Sequence, residues 1–148
     1  KPEKIKNLQE QLKVPAVLFS EKAEKKLEDY KVFIIDTIGL LTRIYSYADI
    51  AYVGGAAGDT GLHNVLEPAA FGVPVIIGKN YSKFPEAAAL KKAGALFSVN
   101  SKKDTAAILV RLLQEENFRK KSGEAASKFI SKQRGASLMI SEYILKNK

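Results

Sequence analysis

Cysteine and tryptophan are absent from this chain of 148 residues, and histidine and methionine occur once each. Without cysteine, neither a disulfide framework nor a thiolate zinc cluster is available, and a reducing compartment is compatible with that without being required by it. Long apolar runs are missing too. The longest uncharged run, residues 68–78 between Glu67 and Lys79, falls well short of the roughly 20 apolar residues that a spanning helix needs. Residues 1–13 are polar and carry no signal-like apolar block, so no membrane crossing is expected within this sequence. A dinucleotide fingerprint is also lacking. G-x-G-x-x-G from Gly54 would require glycine where Ala56 and Asp59 stand, which disfavours NAD and FAD, and no Walker lysine follows.

What the chain does have is positive charge, a formal +8 at neutral pH, on an apolar fraction of 46% that is ordinary for a globular domain. Such an excess attracts an anionic partner: a nucleotide, a nucleic acid or an acidic lipid surface. The basic residues thicken in the last third, at Lys102, Lys103, Arg119, Lys120, Lys121, Lys128, Lys132 and Arg134. Solvated helix faces and a membrane-surface role both account for them.

Hydrophobic spacing alternates between short strands and helices. Ile5, Leu8 and Leu12 predict an amphipathic helix over residues 2–13, with Pro2 suited to a first turn. Compact apolar runs at 16–19 and 32–35 read as strands on either side of a charged connector. Their lack of alternation predicts burial on both faces, as in a parallel sheet covered by helices. A helix is expected over 40–47, then a strand at 50–53, a helix at 64–71 ended by Gly72, and a strand at 73–77. A helix over 84–93 stopped by Gly94 and a strand at 95–99 follow. Three helices complete the chain, burying Ile108, Leu109, Leu112 and Leu113, then Phe118, Ala125, Phe129 and Ile130, then Met139, Ile140, Tyr143 and Ile144. The fold class these predict is α/β, a Rossmann-like doubly wound parallel sheet with extra C-terminal helices. In such sheets ligands bind outside the carboxyl ends of the strands, where residues 37–39, 54–63 and 78–83 would gather.

The stretch 52–74, YVGGAAGDTGLHNVLEPAAFGVP, organises the rest. A strand runs into Gly54, Gly55, Gly58 and Gly61 and then onto a helix start at His63 and Asn64. Glycines let the backbone approach a ligand closely, and a helix start leaves N–H groups aimed at an anion. Glu67 is a good acceptor for ribose hydroxyls, yet Asn64 and Glu67 also fit a capping box in which the carboxylate merely bonds back to the Asn64 backbone. Pro68 fits that box poorly, which moves the helix start nearer Glu67. For His63, contact with a phosphate, a bond to a backbone carbonyl and general-base chemistry all remain open. Tyr81 and Lys83 either reach a ligand or are solvated.

IDTIGLLTRIYSYADIAYVGG followed by HNVLEPAAFGVPVIIG resembles the C-terminal half of 3-deoxy-D-manno-octulosonic acid (Kdo) transferases, GT-B glycosyltransferases of lipopolysaccharide synthesis. The likeness runs from about Val32 to Gly135. It rests on the Asp-Thr-x-Gly element at 36–39, the His-Asn-x-Leu-Glu-Pro-Ala element at 63–69, and their separation. The resemblance implies a chain that is, over residues 1–148, the donor-binding domain of an inverting transferase. Kdo would move from CMP-Kdo to lipid A precursor, with the acceptor domain and catalytic base outside this sequence and the domain alone inactive. It implies no metal, no cofactor and no catalytic residue here.

Donor contacts would come from Thr37, Ile38 and Gly39 near the nucleotide, from Gly55, Gly61, His63 and Asn64 at the phosphate, and from Glu67 near the sugar or ribose. It also implies the cytoplasmic face of the bacterial inner membrane, with peripheral contact to an anionic surface and no nucleic acid. The chain opens at or just after the family's basic His-Pro-Glu-Arg element, so a donor contact there is not assigned. Leu62, Leu40 and the Lys79-Asn80 pair depart from the family pattern, the pair standing where Pro-His is frequent. A different GT-B enzyme or a sugar-nucleotide epimerase would share the glycine loop and carboxylate but prefer a uridine nucleotide. A basic binding module would show no nucleotide preference and a steep salt dependence.

Overall fold

The computed structural model describes residues 2–133 and 135–146. Arg134 lies outside the described residues, and Met139 outside the described side chains. Two compact units emerge, one ending at Leu41 and one beginning at Thr42.

The first unit opens with helix α1 (Pro2–Gln11) and carries two strands, β1 (Ala16–Leu18) and β2 (Val32–Ile34), that pair in parallel. Between them the charged connector forms two short 3-10 turns, Phe19–Glu24 and Leu27–Asp29. Lys31 and Val32 both donate backbone N–H bonds to the Pro15 carbonyl, at 2.9 and 3.1 Å, which sets the register at the start of the pair. Burial on both faces, expected from the unbroken apolar runs, does not hold within this unit. Among the described residues Val17 alone is buried, and Phe33 is 44% exposed against the ring of Phe19. With two strands, each is an edge, so neither gains the cover that a central strand has on both sides.

The second unit begins within α2 (Leu41–Tyr45) and contains β3 (Ala51–Val53), α3 (Leu66–Ala70), β4 (Val75–Ile77), α4 (Pro85–Lys92) and β5 (Leu96–Ser98). Its last three helices are α5 (Lys102–Gln114), α6 (Glu116–Gln133) and α7 (Ala136–Lys146). The strands form a parallel sheet in the order β3-β4-β5, with Tyr52 beside Ile76 and Ile76 beside Phe97. The central strand β4 has no exposed residue because helices cover both of its faces. Val75 and Ile77 pack with Val65, Ala69, Ala87, Leu90 and Ala126 from the α3, α4 and α6 side. Ile76 packs with Leu112 and Val99, flanked by Ile108, Leu109 and Phe118 from α5 and α6. Helices on both faces of a parallel sheet are the doubly wound arrangement that the sequence predicts.

Local chemistry fixes where these elements stop. Gly72 and Gly94 take positive φ just past α3 and α4. In each, paired reverse bonds close the helix end: Gly72 N–H to Ala69 and Val73 N–H to Pro68, then Gly94 N–H to Lys91 and Ala95 N–H to Leu90. This is the Schellman arrangement, and it turns the chain directly into β4 and β5. The Ser101 hydroxyl accepts the Asp104 N–H at 3.1 Å to start α5, and the Asp104 carboxylate accepts the Asn100 N–H. Arg119 donates to the Leu112 and Leu113 carbonyls, closing the other end of α5.

Two expected helix faces are corrected. Leu113 is exposed on α5, and on α7 Ile140, Tyr143 and Ile144 are exposed, Tyr143 by 71%. Their spacing gave a stripe, but within this unit the sheet is already covered by α5 and α6.

Candidate functional site

After Val53 ends β3 at the carboxyl edge of the sheet, residues 54–65 fold back before α3 begins at Leu66. The bend depends on Gly55, whose φ is +95° and where an added Cβ would lie 1.8 Å from the Gly61 carbonyl oxygen. No side chain fits between those two backbone segments. Gly61 also takes positive φ. The His63 N–H donates to the Gly54 carbonyl at 3.2 Å, and the imidazole edge lies against the Gly54 backbone. His63 is exposed, so its ring faces solvent at the rim of the loop.

A second segment braces the first. Gly78, just past β4, sits so close to the backbone of Ala56 and Ala57 that a Cβ there would fall 2.3 Å from the Ala57 nitrogen. Asn80 then makes two bonds across the gap, its N–H to the Ala56 carbonyl at 2.9 Å and its side-chain amide to the Gly58 carbonyl at 3.1 Å. Loops 54–63 and 78–83 are therefore one assembly, as their places at neighbouring strand ends predict. An open cavity of about 340 Å³ lies between them, lined by Gly58, Asp59, Gly61, Lys79, Asn80, Ser82, Lys83 and Phe84.

The helix begins at Leu66, beside Glu67, as the poor fit of Pro68 to a cap at Asn64 implies. Pro68 is the third helical residue of α3, where its missing N–H interrupts no intrahelical bond, and this accounts for the later start. Asn64 caps no helix. Its side-chain oxygen accepts the Leu66 N–H at 2.9 Å in a local turn, and its amide donates to the Glu67 carboxylate at 3.0 Å. Glu67 is thus held by the Asn64 side chain rather than bonded back to the Asn64 backbone. With only five residues, α3 offers little macrodipole. Burial first, and then the nearby Glu67 charge, push the Tyr45 phenol above its ordinary pKa.

Thr37, Ile38 and Gly39 belong to the first unit, exposed on the loop after β2, with Gly39 at a φ of +89°. Asp36, which precedes them, is a clamp: its carboxylate accepts both the N–H and the hydroxyl of Ser20. Those bonds, the hydroxyl foremost, hold its carboxyl below the usual range. In the second unit the structure brings together Gly55, Gly61, His63, Asn64 and Glu67. Tyr81 is neither free nor simply solvated. Lys91 donates to its phenol oxygen at 2.7 Å and to Ser98 at 2.7 Å, and the Lys91 bond leads in drawing the phenol below its ordinary pKa. Sequence reasoning missed the bracing role of Asn80. The available signal was its position two residues past a strand-ending glycine, where a short amide reaches a neighbouring carbonyl.

Parallel strands joined through helices, with a glycine loop at the carboxyl end of β3, define an α/β domain of the Rossmann-like class. The same fold is found in the crystal structure of the C-terminal CMP-Kdo binding domain of WaaA from Acinetobacter baumannii. That match has a TM-score of 0.75 and 21% identity, and covers 86% of this chain and 67% of that one. The chain belongs to the group 1 glycosyl transferases, whose family model matches residues 6–129. It is 34% identical over 139 residues to the 3-deoxy-D-manno-octulosonic acid transferase of Haemophilus influenzae, 91% of this chain and 33% of that enzyme. It is 35% identical over 134 residues to the enzyme of that name from Chlamydia trachomatis serovar D, 88% of this chain and 31% of the relative. The chain therefore spans about a third of the length of the curated relatives it matches. The likeness to Kdo transferases read in the sequence is borne out, as is the α/β fold of a GT-B C-terminal half. Among the described residues, no helix is long and apolar enough to cross a membrane.

Proposed function

We propose that this chain is the donor-binding domain of a Kdo transferase, gripping the cytidine monophosphate of CMP-Kdo while an acceptor domain outside this sequence presents the lipid A precursor. The observation that carries the reading is the extent of the likeness, 34% identity over 91% of the chain to a transferase of that name. The closed glycine loop at the carboxyl end of β3 supports it chemically.

In the proposed reaction an acceptor hydroxyl loses its proton to a base outside this chain and attacks the anomeric carbon from the face opposite the phosphate. The bond from that carbon to the phosphate oxygen breaks, its electron pair leaves with CMP, and the configuration inverts. This domain's share is to hold CMP and to stabilise the charge that grows on the leaving phosphate. Backbone N–H groups around Gly55, Gly61 and Asn64, with the His63 ring at the rim, supply fixed dipoles that need no reorganisation as charge develops. Glu67, steadied by Asn64, accepts hydroxyls of the ribose or sugar. No metal or cofactor takes part. Work on a lipid acceptor puts the enzyme at the cytoplasmic face of the inner membrane, where the +8 charge favours peripheral contact with anionic lipid.

Calorimetric titration with CMP, UMP, AMP and inorganic phosphate tests this. CMP is expected to bind at least about tenfold more tightly than UMP or AMP, and Glu67→Ala to weaken CMP by about 1–3 kcal/mol, the cost of hydrogen bonds to a charged acceptor. A UMP preference would return the chain to the wider family as a user of uridine nucleotides. Equal, weak binding of all four would remove the donor-domain reading.

A further inference from the structure

The cavity beside the glycine loop holds two cations that the phosphate-binding scheme does not use. Lys79 and Lys83 line the same wall as Ser82 and Asn80, facing Gly58, Asp59 and Gly61 of the loop. Among the described residues, neither lysine has an ion-pair partner. Their backbone is nonetheless well anchored. Asn80 is bonded through both its N–H and its side chain, the Phe84 N–H donates to the Tyr81 carbonyl at 2.9 Å, and Phe84 and Tyr81 pack against the core. Both lysines therefore line this cavity from a well-anchored backbone, and Lys79 also borders a second cavity beside Tyr52 and Thr105.

We propose that Lys79 and Lys83 form the subsite for the sugar carboxylate of an ulosonic-acid donor, a role that rests on the donor-domain reading above. In a nucleotide-linked 2-keto sugar acid, the carboxylate and the phosphate are attached to the same anomeric carbon. A site for such a donor must therefore place cations immediately beside its phosphate loop. An aldose nucleotide has only hydrogen at that place and needs none. Two lysines on the cavity wall shared with Gly58 and Gly61 meet this requirement. A compact ammonium on a flexible stem suits a carboxylate whose orientation changes as the sugar departs. Asp59 is the one carboxylate lining the cavity. It opposes a second anion and so sets the strength of the subsite.

The test uses the chain saturated with CMP and titrated with Kdo or with Kdo methyl ester, the same sugar without the charge, followed by chemical-shift mapping. The acid is expected to bind about three- to tenfold more tightly than the ester, the range that two partly exposed ion pairs provide. The Lys79→Ala, Lys83→Ala double variant is expected to bring that ratio to about one, and the double arginine variant to keep it. Asp59→Asn is expected to raise it. A wild-type ratio of one, no detectable Kdo binding, or a ratio untouched by the double alanine variant overturns the subsite while CMP binding still stands. Loss of CMP binding by the wild-type chain overturns both readings.

Discussion

At the scale of single residues, short polar side chains fasten loops to strand ends, and the candidate site depends on them. Asn80 holds the glycine loop, Asn64 holds Glu67, and Ser20 holds Asp36. Each is a local bond between chemically ordinary groups, and each needs a close approach that only the fold creates. Asp36 carries a consequence for pH. Its carboxyl is held below the usual range by the Ser20 hydroxyl first and by the N–H bonds with it. A depressed folded value stabilises the folded state above the ordinary aspartate pKa, and that contribution fades as pH falls through the folded value. Proton-coupled NMR titration is expected to show Asp36 ionising below pH about 3.9, the reference for a free side chain, and Ser20→Ala to move it back toward that value. An unchanged midpoint in the variant would mean that the clamp does not form in solution.

At the scale of elements, glycines decide how closely backbones approach. Gly123 in α6 lies against the turn after α3: an added Cβ would meet the Gly72 carbonyl oxygen at 2.3 Å. Both contacting atoms would be backbone or Cβ, with no flexible end to yield. Gly123→Ala is expected to push α6 off that turn and destabilise the chain by about 1–3 kcal/mol, despite alanine's better helix propensity of ~1 kcal/mol. Urea unfolding measures this, and a variant as stable as the wild type would show that α6 has room to shift.

Elements of this kind explain what could be read from sequence. The helix ends at Gly72 and Gly94 and the alternation of strand and helix were legible, because backbone conformation is written in residue type. So was the glycine loop. The start of α3 beside Glu67 was legible too, from Pro68; the side-chain bond from Asn64 to Glu67 and the brace from Asn80 were not. They depend on which carbonyl a short side chain meets across the fold, and no periodicity encodes that. The apolar stripes of α7 and of Leu113 misled for a related reason: spacing identifies a face but not what covers it.

At the scale of the whole molecule, apolar burial is distributed unequally between the two units. Both core clusters lie entirely in the unit from Thr42 onward, and Val17 is the one described hydrophobic residue of the first unit that is buried. Burial of apolar surface is the dominant favourable term in folding, at roughly 25 cal/mol per Å², and it must offset about 1–2 kcal/mol of backbone entropy for each ordered residue. The three-stranded sheet with helices on both faces meets that condition. A two-stranded pair with one buried side chain does not, since isolated two-stranded pairs are marginal in water. A chain beginning at Thr42 is therefore expected to fold alone, with a cooperative thermal transition and dispersed methyl resonances, whereas residues 1–41 alone are expected to give the spectrum of an unfolded peptide. If the shorter chain melts without cooperativity, β3 depends on a neighbour across its open edge. In that case the glycine loop it carries would take shape only once that neighbour is in place.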